Sequence, residues 1–235
     1  MKNLHPENSS YNNRQQERGS VLFYILIGVV LFAALSYTVS GMMRGGNTDM
    51  IGEEQAKLYA SEILDYARVI RQAMQNVRIS NGCQDTEIRF VNNVTTGYGA
   101  SVRPACDIFD PAGGDARYVP PIDKWGAGTE WIFSGRTPVL GIGTNDGTPN
   151  ASDLTIVLSD INLSVCKEIN NKSGIQNPSD NPPIDVGSMD ASTKFTGTYN
   201  TASEYNAPEI NGKMYGCLQN AAQTSNIFYQ VLIAR

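Results

Sequence analysis

Residues that do chemistry are scarce in this chain. Its 235 residues contain one histidine, His5, and charged residues make up only 17% of the total. With His5 at the very start, no Ser–His or Cys–His nucleophile pair can be drawn from the rest of the sequence. The patterns G-x-S-x-G, G-x-x-x-x-G-K-S/T and H-E-x-x-H do not occur. Gly141-Ile142-Gly143 runs into Asn145-Asp146-Gly147, a turn and not a helix start, so it is no dinucleotide loop. Asn145-Asp146-Gly147 itself lacks the repeated acidic spacing of a calcium loop. Lysine and arginine are scattered, and the formal net charge is −5, which argues against a nucleic-acid partner. None of the four cysteines forms C-x-x-C and none has a histidine nearby, which argues against a zinc site. Asp107 and Asp110 form the kind of acidic pair a glycosidase uses, but 23 acidic residues give such pairs by chance. The same holds for the Asn-x-Ser/Thr triplets at Asn93, Asn150 and Asn162. The expectation is a protein that is not an enzyme, with no catalytic residue, metal or cofactor.

Charge is missing altogether in one long run. No Asp, Glu, Lys, Arg or His occurs from Gly19 to Met43. Residues 20–40 in a helix would rise about 31 Å, the thickness of a bilayer's hydrocarbon core. A lone segment in lipid satisfies its backbone only as a helix. We therefore expect a transmembrane helix over residues 20–43, preceded by a polar leader over 1–19. An uncleaved signal anchor is the plainest account of the run. A secretory signal peptide fits less well, because the run is too long and no Ala-x-Ala site closes it. Arg14 and Arg18 precede the run, while Asp49, Glu53 and Glu54 follow it. That bias sets the N-terminus in the cytoplasm and the remainder on the far side of the membrane.

Beyond the anchor, residues 44–82 read as an amphipathic helix, clearest from Glu53 to Ser80. Ala56, Ala60, Ile63, Ala67, Ile70, Met74 and Val77 step by four and three along one face. Tyr59, Tyr66 and Ala73 widen that seam, and Arg68, Arg71, Gln72, Gln75 and Arg78 would face away. Asn81-Gly82 supplies a stop. Residues 83–235 read as a disulfide-bonded, β-rich globular domain. Glu87 to Val91, Glu130 to Phe133 and Val139 to Ile142 have strand character, and Leu154 to Leu158 is a strong β segment. Val165 to Asn170 reads as a short helix capped by Ser164. Residues 174–212 are polar and Pro-rich and look like a long surface excursion. Ile227 to Ile233 is apolar enough for a central strand. Trp125 and Trp131 are expected in the core or over its edge. Four cysteines beyond a membrane imply two disulfides. Three pairings are possible; Cys83–Cys106 with Cys166–Cys217 is favoured because each pair brackets one coherent segment.

Taken in order, these parts resemble the type IV pilin and pseudopilin family. The stretch Arg18-Gly19-Ser20-Val21-Leu22-Phe23-Tyr24 is similar to a prepilin cleavage boundary, with the leader length of the type IVb branch. The run from Leu154 through Ser164-Val165-Cys166-Lys167-Glu168-Ile169-Asn170 to Cys217 and a last strand resembles the closing disulfide loop of type IVb pilins. The resemblance implies an α+β fold. In it a long N-terminal helix, half transmembrane and half amphipathic, packs on a C-terminal antiparallel sheet with disulfides. It implies cleavage by a prepilin peptidase between Gly19 and Ser20, and methylation of the new Ser20 amine. It implies an assembly surface on Val21, Leu22, Phe23, Tyr24, Ile25 and Leu26. The partners would be the membrane and other pilin or pseudopilin subunits. The protein would sit in a bacterial inner membrane with its globular domain periplasmic, and in an extracellular filament after assembly. One position departs from the family: its usual Glu, fifth after cleavage, is Tyr24 here. That resembles a minor or tip subunit, one that recruits no neighbour through a buried carboxylate. Two other readings stand beside this one: an unprocessed single-pass protein with a periplasmic binding domain, and an anchored periplasmic enzyme.

Overall fold

The computed structural model of the protein describes residues 23–35, 52–144, 151–200 and 204–235. The chain divides into two compact units, Met1–Met50 and Ile51–Arg235. In the first, residues 23–35 are helical (α1) and their side chains are exposed. Among the described residues no helix is long and apolar enough to cross a membrane. The membrane helix expected over 20–43 extends past α1 at both ends, and those flanks lie outside the described residues.

The second unit is built around α2, Glu53–Ser80, which has the predicted limits of the clearest soluble helix. All seven predicted seam residues are buried, together with Leu64 and Ala73. Tyr59 and Tyr66 pack at the rim of the core. Of the five residues predicted to face away, Arg71 alone is half-buried. Glu53 and Glu54 occupy the first turn, where the dipole favours them. The helix stops where the Asn81 and Cys83 amides both donate to the Val77 carbonyl, with Gly82 in left-handed backbone (φ 61°).

Against α2 lies a four-stranded antiparallel sheet: β1 (Ile132–Ser134), β2 (Leu154–Leu158), β3 (Tyr215–Gln219) and β4 (Asn226–Ile233), ordered β1-β2-β4-β3. The α+β class and the central place of the last strand are as expected. Between β2 and β3 comes α3, Leu163–Ser173. It begins two residues before the predicted Val165 and is preceded by Asn162, so Ser164 lies inside the helix and is not its cap. Gly174 ends it in left-handed backbone (φ 67°).

Side chains alternate across the sheet as the pleat requires. Phe133, Leu154, Ile156, Leu158, Phe228 and Leu232 join α2 in one core. Ile132, Val157, Leu218, Ile227, Tyr229 and Val231 form a second core on the opposite face. That face is roofed by Val139, Ile142, Ile175, Tyr205, Ala207 and Ile210. Residues 174–212 are therefore not a surface excursion. Four apolar anchors within a polar stretch seat it on the sheet. Both faces being buried also accounts for the unbroken burial of β2.

Two predicted strands are single bridges instead. Arg89 pairs with Asp107 and Val139 with Tyr205, each once. Within Glu87 to Val91 the burial alternates as a strand would, with Ile88 and Phe90 fully buried. Asp85–Glu87, however, is a 3-10 turn, and the next residues form only two backbone bonds, Arg89 N to Cys106 O and Ile108 N to Arg89 O. Residues 92–130 contain loops and turns but no strand. Trp125 and Trp131 are both buried. Trp131 stands against Tyr66 (centroids 4.9 Å apart) and donates through Nε1 to Val119 O at 2.9 Å.

Because the α2 seam is the spine of this unit, Ile70→Ala is expected to destabilise it by about 2–5 kcal/mol. Ile79, on the same helix but 83% exposed, should change stability by less than about 0.5 kcal/mol when made alanine. Urea denaturation of the two variants beside the wild type reads the difference; equal losses would contradict the packing.

Candidate functional site

The residues singled out from sequence fall into three groups. Gly19, Ser20, Val21 and Leu22 lie outside the described residues, as do Asn145-Asp146-Gly147 and His5. Phe23, Tyr24, Ile25 and Leu26 form the first turn of α1, each more than half exposed. Cys83, Cys106, Cys166 and Cys217 pair as favoured, with Cα–Cα distances of 5.7 Å for Cys83–Cys106 and 5.4 Å for Cys166–Cys217. Both bridges sit in the core shared by α2 and the sheet.

The Cys166–Cys217 bridge fastens α3 to β3, and a residue unmarked by the sequence reading completes the join. Asn170 is one turn beyond Cys166 and fully buried. Its Oδ1 accepts from the Cys217 amide at 2.8 Å and its Nδ2 donates to the Cys217 carbonyl at 2.9 Å. One carboxamide thus does for the outer edge of β3 what a neighbouring strand would do. The Cys83–Cys106 bridge has a similar companion. Asn81 Nδ2 donates to Ala105 O at 2.7 Å, fixing the end of α2 to the loop that the disulfide closes.

Two buried carboxylates tie distant segments together. Asp185 accepts from the Met189 amide at 2.9 Å and the Asn206 amide at 2.7 Å. Asp153, also fully buried, accepts from Val139 N at 2.9 Å and Arg235 N at 3.0 Å. Burial pushes the Asp153 carboxyl up to about 6, against the pull of those two amides and of the Arg235 charge. Arg235 also lies over the Tyr199 ring, 3.8 Å from its centroid. A single buried Asp flanked by ordinary residues leaves no trace in hydrophobic period or motif, and neither does Asn170.

Asp107 and Asp110, the acidic pair weighed for glycosidase chemistry, both serve the turn they belong to. Asp107 Oδ1 accepts from Phe109 N at 3.2 Å and Asp110 Oδ1 from Ala112 N at 2.8 Å. Burial raises the Asp107 pKa, partly offset by the Phe109 amide. Neither lines the recesses described next. Among the described residues no group of three or more His, Cys, Asp or Glu could hold a metal ion.

The surface of the second unit carries shallow recesses. One of about 670 Å³ is lined by Val91 to Val94, Phe109 and Asp115 to Tyr118. A neighbour of about 530 Å³ shares Asp115 and Ala116 and runs along the outer side of α2 past Val69, Gln72, Asn76 and Ile79. A third, about 410 Å³, lies among Pro178, Pro182, Pro183, Pro208 and the amides of Gln219 and Gln223. A fourth, about 100 Å³, opens between α2 and the β3–β4 hairpin at Arg68, Arg71 and Tyr215. The first three mix apolar side chains with neutral amides, with no convergent set of acids or bases. No protein-family model, curated protein or solved structure matches the chain.

Two outcomes follow from this geometry. A Cys166→Ala/Cys217→Ala double variant opens a loop spanning 51 residues and is expected to lose about 2–5 kcal/mol. Limited proteolysis should then cut first within residues 174–212. For Asp153 the sign is the reverse of the usual salt-bridged carboxylate. Its folded pKa lies above the unfolded one, so acidification through about 6 towards about 4 relieves the cost of burying its charge. The stability gap between wild type and Asp153→Asn should therefore widen as the pH falls from 7 to 5, by at most about 1.4 kcal/mol per pH unit. Urea midpoints at the two pH values measure it, and a gap that narrows would contradict the assignment.

Proposed function

We propose that the chain is a non-enzymatic structural subunit of a type IV pilus or of a type II secretion pseudopilus-like filament. Residues 20–43 would anchor it in a bacterial inner membrane before assembly, and the same apolar surface would later pack against other pilin or pseudopilin subunits. Residues 1–19 would be a cytoplasmic leader, cut by a prepilin peptidase between Gly19 and Ser20, with the Ser20 amine then methylated. The globular unit would ride outside the membrane and the filament core. Tyr24, in place of the family's Glu, favours a minor or tip-like place in the filament over a bulk shaft subunit.

The observation that carries this reading is the relation of α2 to the sheet. A 28-residue helix supplies the spine of the globular unit, and in sequence it follows the uncharged run Gly19–Met43 after nine residues. Helix first, antiparallel sheet last, with a disulfide from the helix after β2 to the penultimate strand, is the arrangement the resemblance calls for. Asn170 and the Cys166–Cys217 bridge support the same reading, since they lock the loop that the resemblance singles out.

The test is the mass and N-terminal sequence of protein extracted from membranes of the native host. Under this proposal the mature chain begins at Ser20 and is heavier by one methyl group. A bulky substitution such as Gly19→Leu leaves the full-length chain to accumulate. A wild-type chain beginning at Met1 supports instead the unprocessed single-pass protein with a periplasmic binding domain, and would sink the filament reading.

A further inference from the structure

The arginines of the second unit are nearly all matched. Arg68 meets Asp65 at 2.6 Å, Arg78 meets Asp85 at 3.0 Å, Arg103 meets Glu87 at 3.6 Å and Arg136 meets Asp190 at 3.1 Å. Arg89 donates to the Thr86 and Ile88 carbonyls, and Arg235 lies over Tyr199. Arg117 is exposed to water. Arg71 differs from all of these. It is half-buried on the side of α2 that turns towards the β3–β4 hairpin and has no ion pair among the described residues, while its Nε, like that of Arg136, is shut off from water without a full hydrogen bond. A guanidinium keeps its charge at any physiological pH, so it cannot escape that cost by losing a proton.

The surroundings of Arg71 are those of a small receptor for negative charge. Arg71 lines the recess of about 100 Å³ together with Leu64, Arg68, Tyr215 and Gln230. Gln230 Nε2 donates to Ala67 O at 3.3 Å, which fixes the floor of the recess to α2. The Tyr215 hydroxyl donates to Lys172 O at 3.2 Å and sets the last turn of α3 beside the opening. Lys213 Nζ donates to Ser173 O in the same turn, at 3.1 Å. Asp65 engages Arg68, one turn back, and no carboxylate lines the recess itself. This is a basic corner on a chain whose formal net charge is −5.

We propose that this recess binds one oxyanion, a carboxylate or phosphate group, on the Arg71 guanidinium. The planar fork of Arg71 suits a two-oxygen acceptor. Arg68 and Tyr215 line the same recess, and Leu64 adds an apolar side chain beside the charge. The small volume admits a single anionic group and excludes a nucleotide or sugar ring. The group has two sources: a free ion such as phosphate, or the carboxylate of an acidic polypeptide. The site stands on α2, β3 and β4 alone, so it is independent of whether the chain is processed or assembles.

The test uses the full-length chain in a neutral detergent, with ionic strength held constant by chloride. The unfolding midpoint is titrated with inorganic phosphate and, separately, with a tetraglutamate peptide. At least one probe should raise the midpoint saturably. Arg71→Gln should abolish that rise, Arg71→Lys should weaken the affinity about tenfold, and Arg117→Gln should leave it unchanged. Tighter binding of phosphate assigns the free ion, and tighter binding of the peptide assigns a polypeptide carboxylate. The Arg71 Nε–Hε resonance of the wild-type protein should shift along the same curve, a readout that survives even if Arg71→Gln fails to fold. No saturable rise with either probe, an equal rise in Arg71→Gln, or an Arg71 resonance that does not move overturns the proposal.

Discussion

Close approach of α2 to the sheet is the constraint on which the globular unit depends. Ala56, Ala60, Ala67 and Ala73 keep the helix surface low along the seam, while Ile63, Ile70, Met74 and Val77 reach into the core. That alternation of small and large lets backbone polar groups of the helix be reached from the sheet, as where Gln230 donates to Ala67 O. Packing of this density tolerates little change in volume. The aromatic set above it follows from the same closeness. Phe90 and Phe133 stack with centroids 4.1 Å apart, and the Tyr98 hydroxyl donates to Trp131 O at 2.9 Å while accepting from Phe133 N at 3.2 Å. β1, only three residues long, is held as much by these side chains as by its ladder to β2.

The sheet has two edges, and the chain closes both with irregular backbone. On β1, the Phe133 carbonyl accepts from Phe195 N at 2.7 Å, and just beyond it the Gly135 carbonyl accepts from Asn200 N at 3.1 Å. On β3, Asn170 covers Cys217, and Gln219 exchanges bonds with Pro183 and Asp185. Residues 174–212 therefore do three jobs: they roof the second face, seal one edge and reach across to the other. Their polar composition conceals this, since only a few positions, such as Ile175, Phe195, Tyr205 and Ile210, carry the apolar burial. With its edges closed, the sheet offers these positions no ladder for strand addition by another chain.

What the sequence disclosed and what it hid divide along physical lines. Period 3.6 over seven turns revealed α2 to its ends, because each seam residue had a repeat to agree with. The largely apolar, β-prone runs at Leu154–Leu158 and Ile227–Ile233 marked two central strands. Glu87 to Val91 has a strand's alternation but found only a single-bridge partner, because a strand is defined by its neighbour and not by its own pattern. Val139 to Ile142 failed likewise. Asn170, Asp153 and Asp185 were invisible because each acts singly, through backbone groups that include at least one distant in sequence. The recess at Arg71 was hidden from the other direction. A helix wheel put Arg71 on the water side, and only the β3–β4 hairpin brought it half under cover.

The two units meet the same thermodynamic demand in opposite ways. The second folds its apolar side chains inward, on both sides of one sheet. α1 cannot do so. From Phe23 to Leu35 no residue is charged, and large side chains occupy every side of the helix: Tyr24, Ile25, Leu26, Val29, Val30, Leu31 and Phe32 are all exposed. An amphipathic helix could lay one stripe on a core, but a helix that is apolar all round has no face to give to water. At about 25 cal/mol for each Å² kept wet, such a surface is costly to leave in water. The proposed filament subunit would cover that surface with lipid before assembly and with other apolar helices afterwards. On that proposal Tyr24 sharpens the point, because a phenol would enter either environment at far less cost than a carboxylate at the same place. A helix without that charge would gain stability in both places and would give up the polar handle by which the proposal has a neighbour recruited. For the subunit proposed above, storage in the bilayer and packing in a filament would then be driven mainly by apolar area.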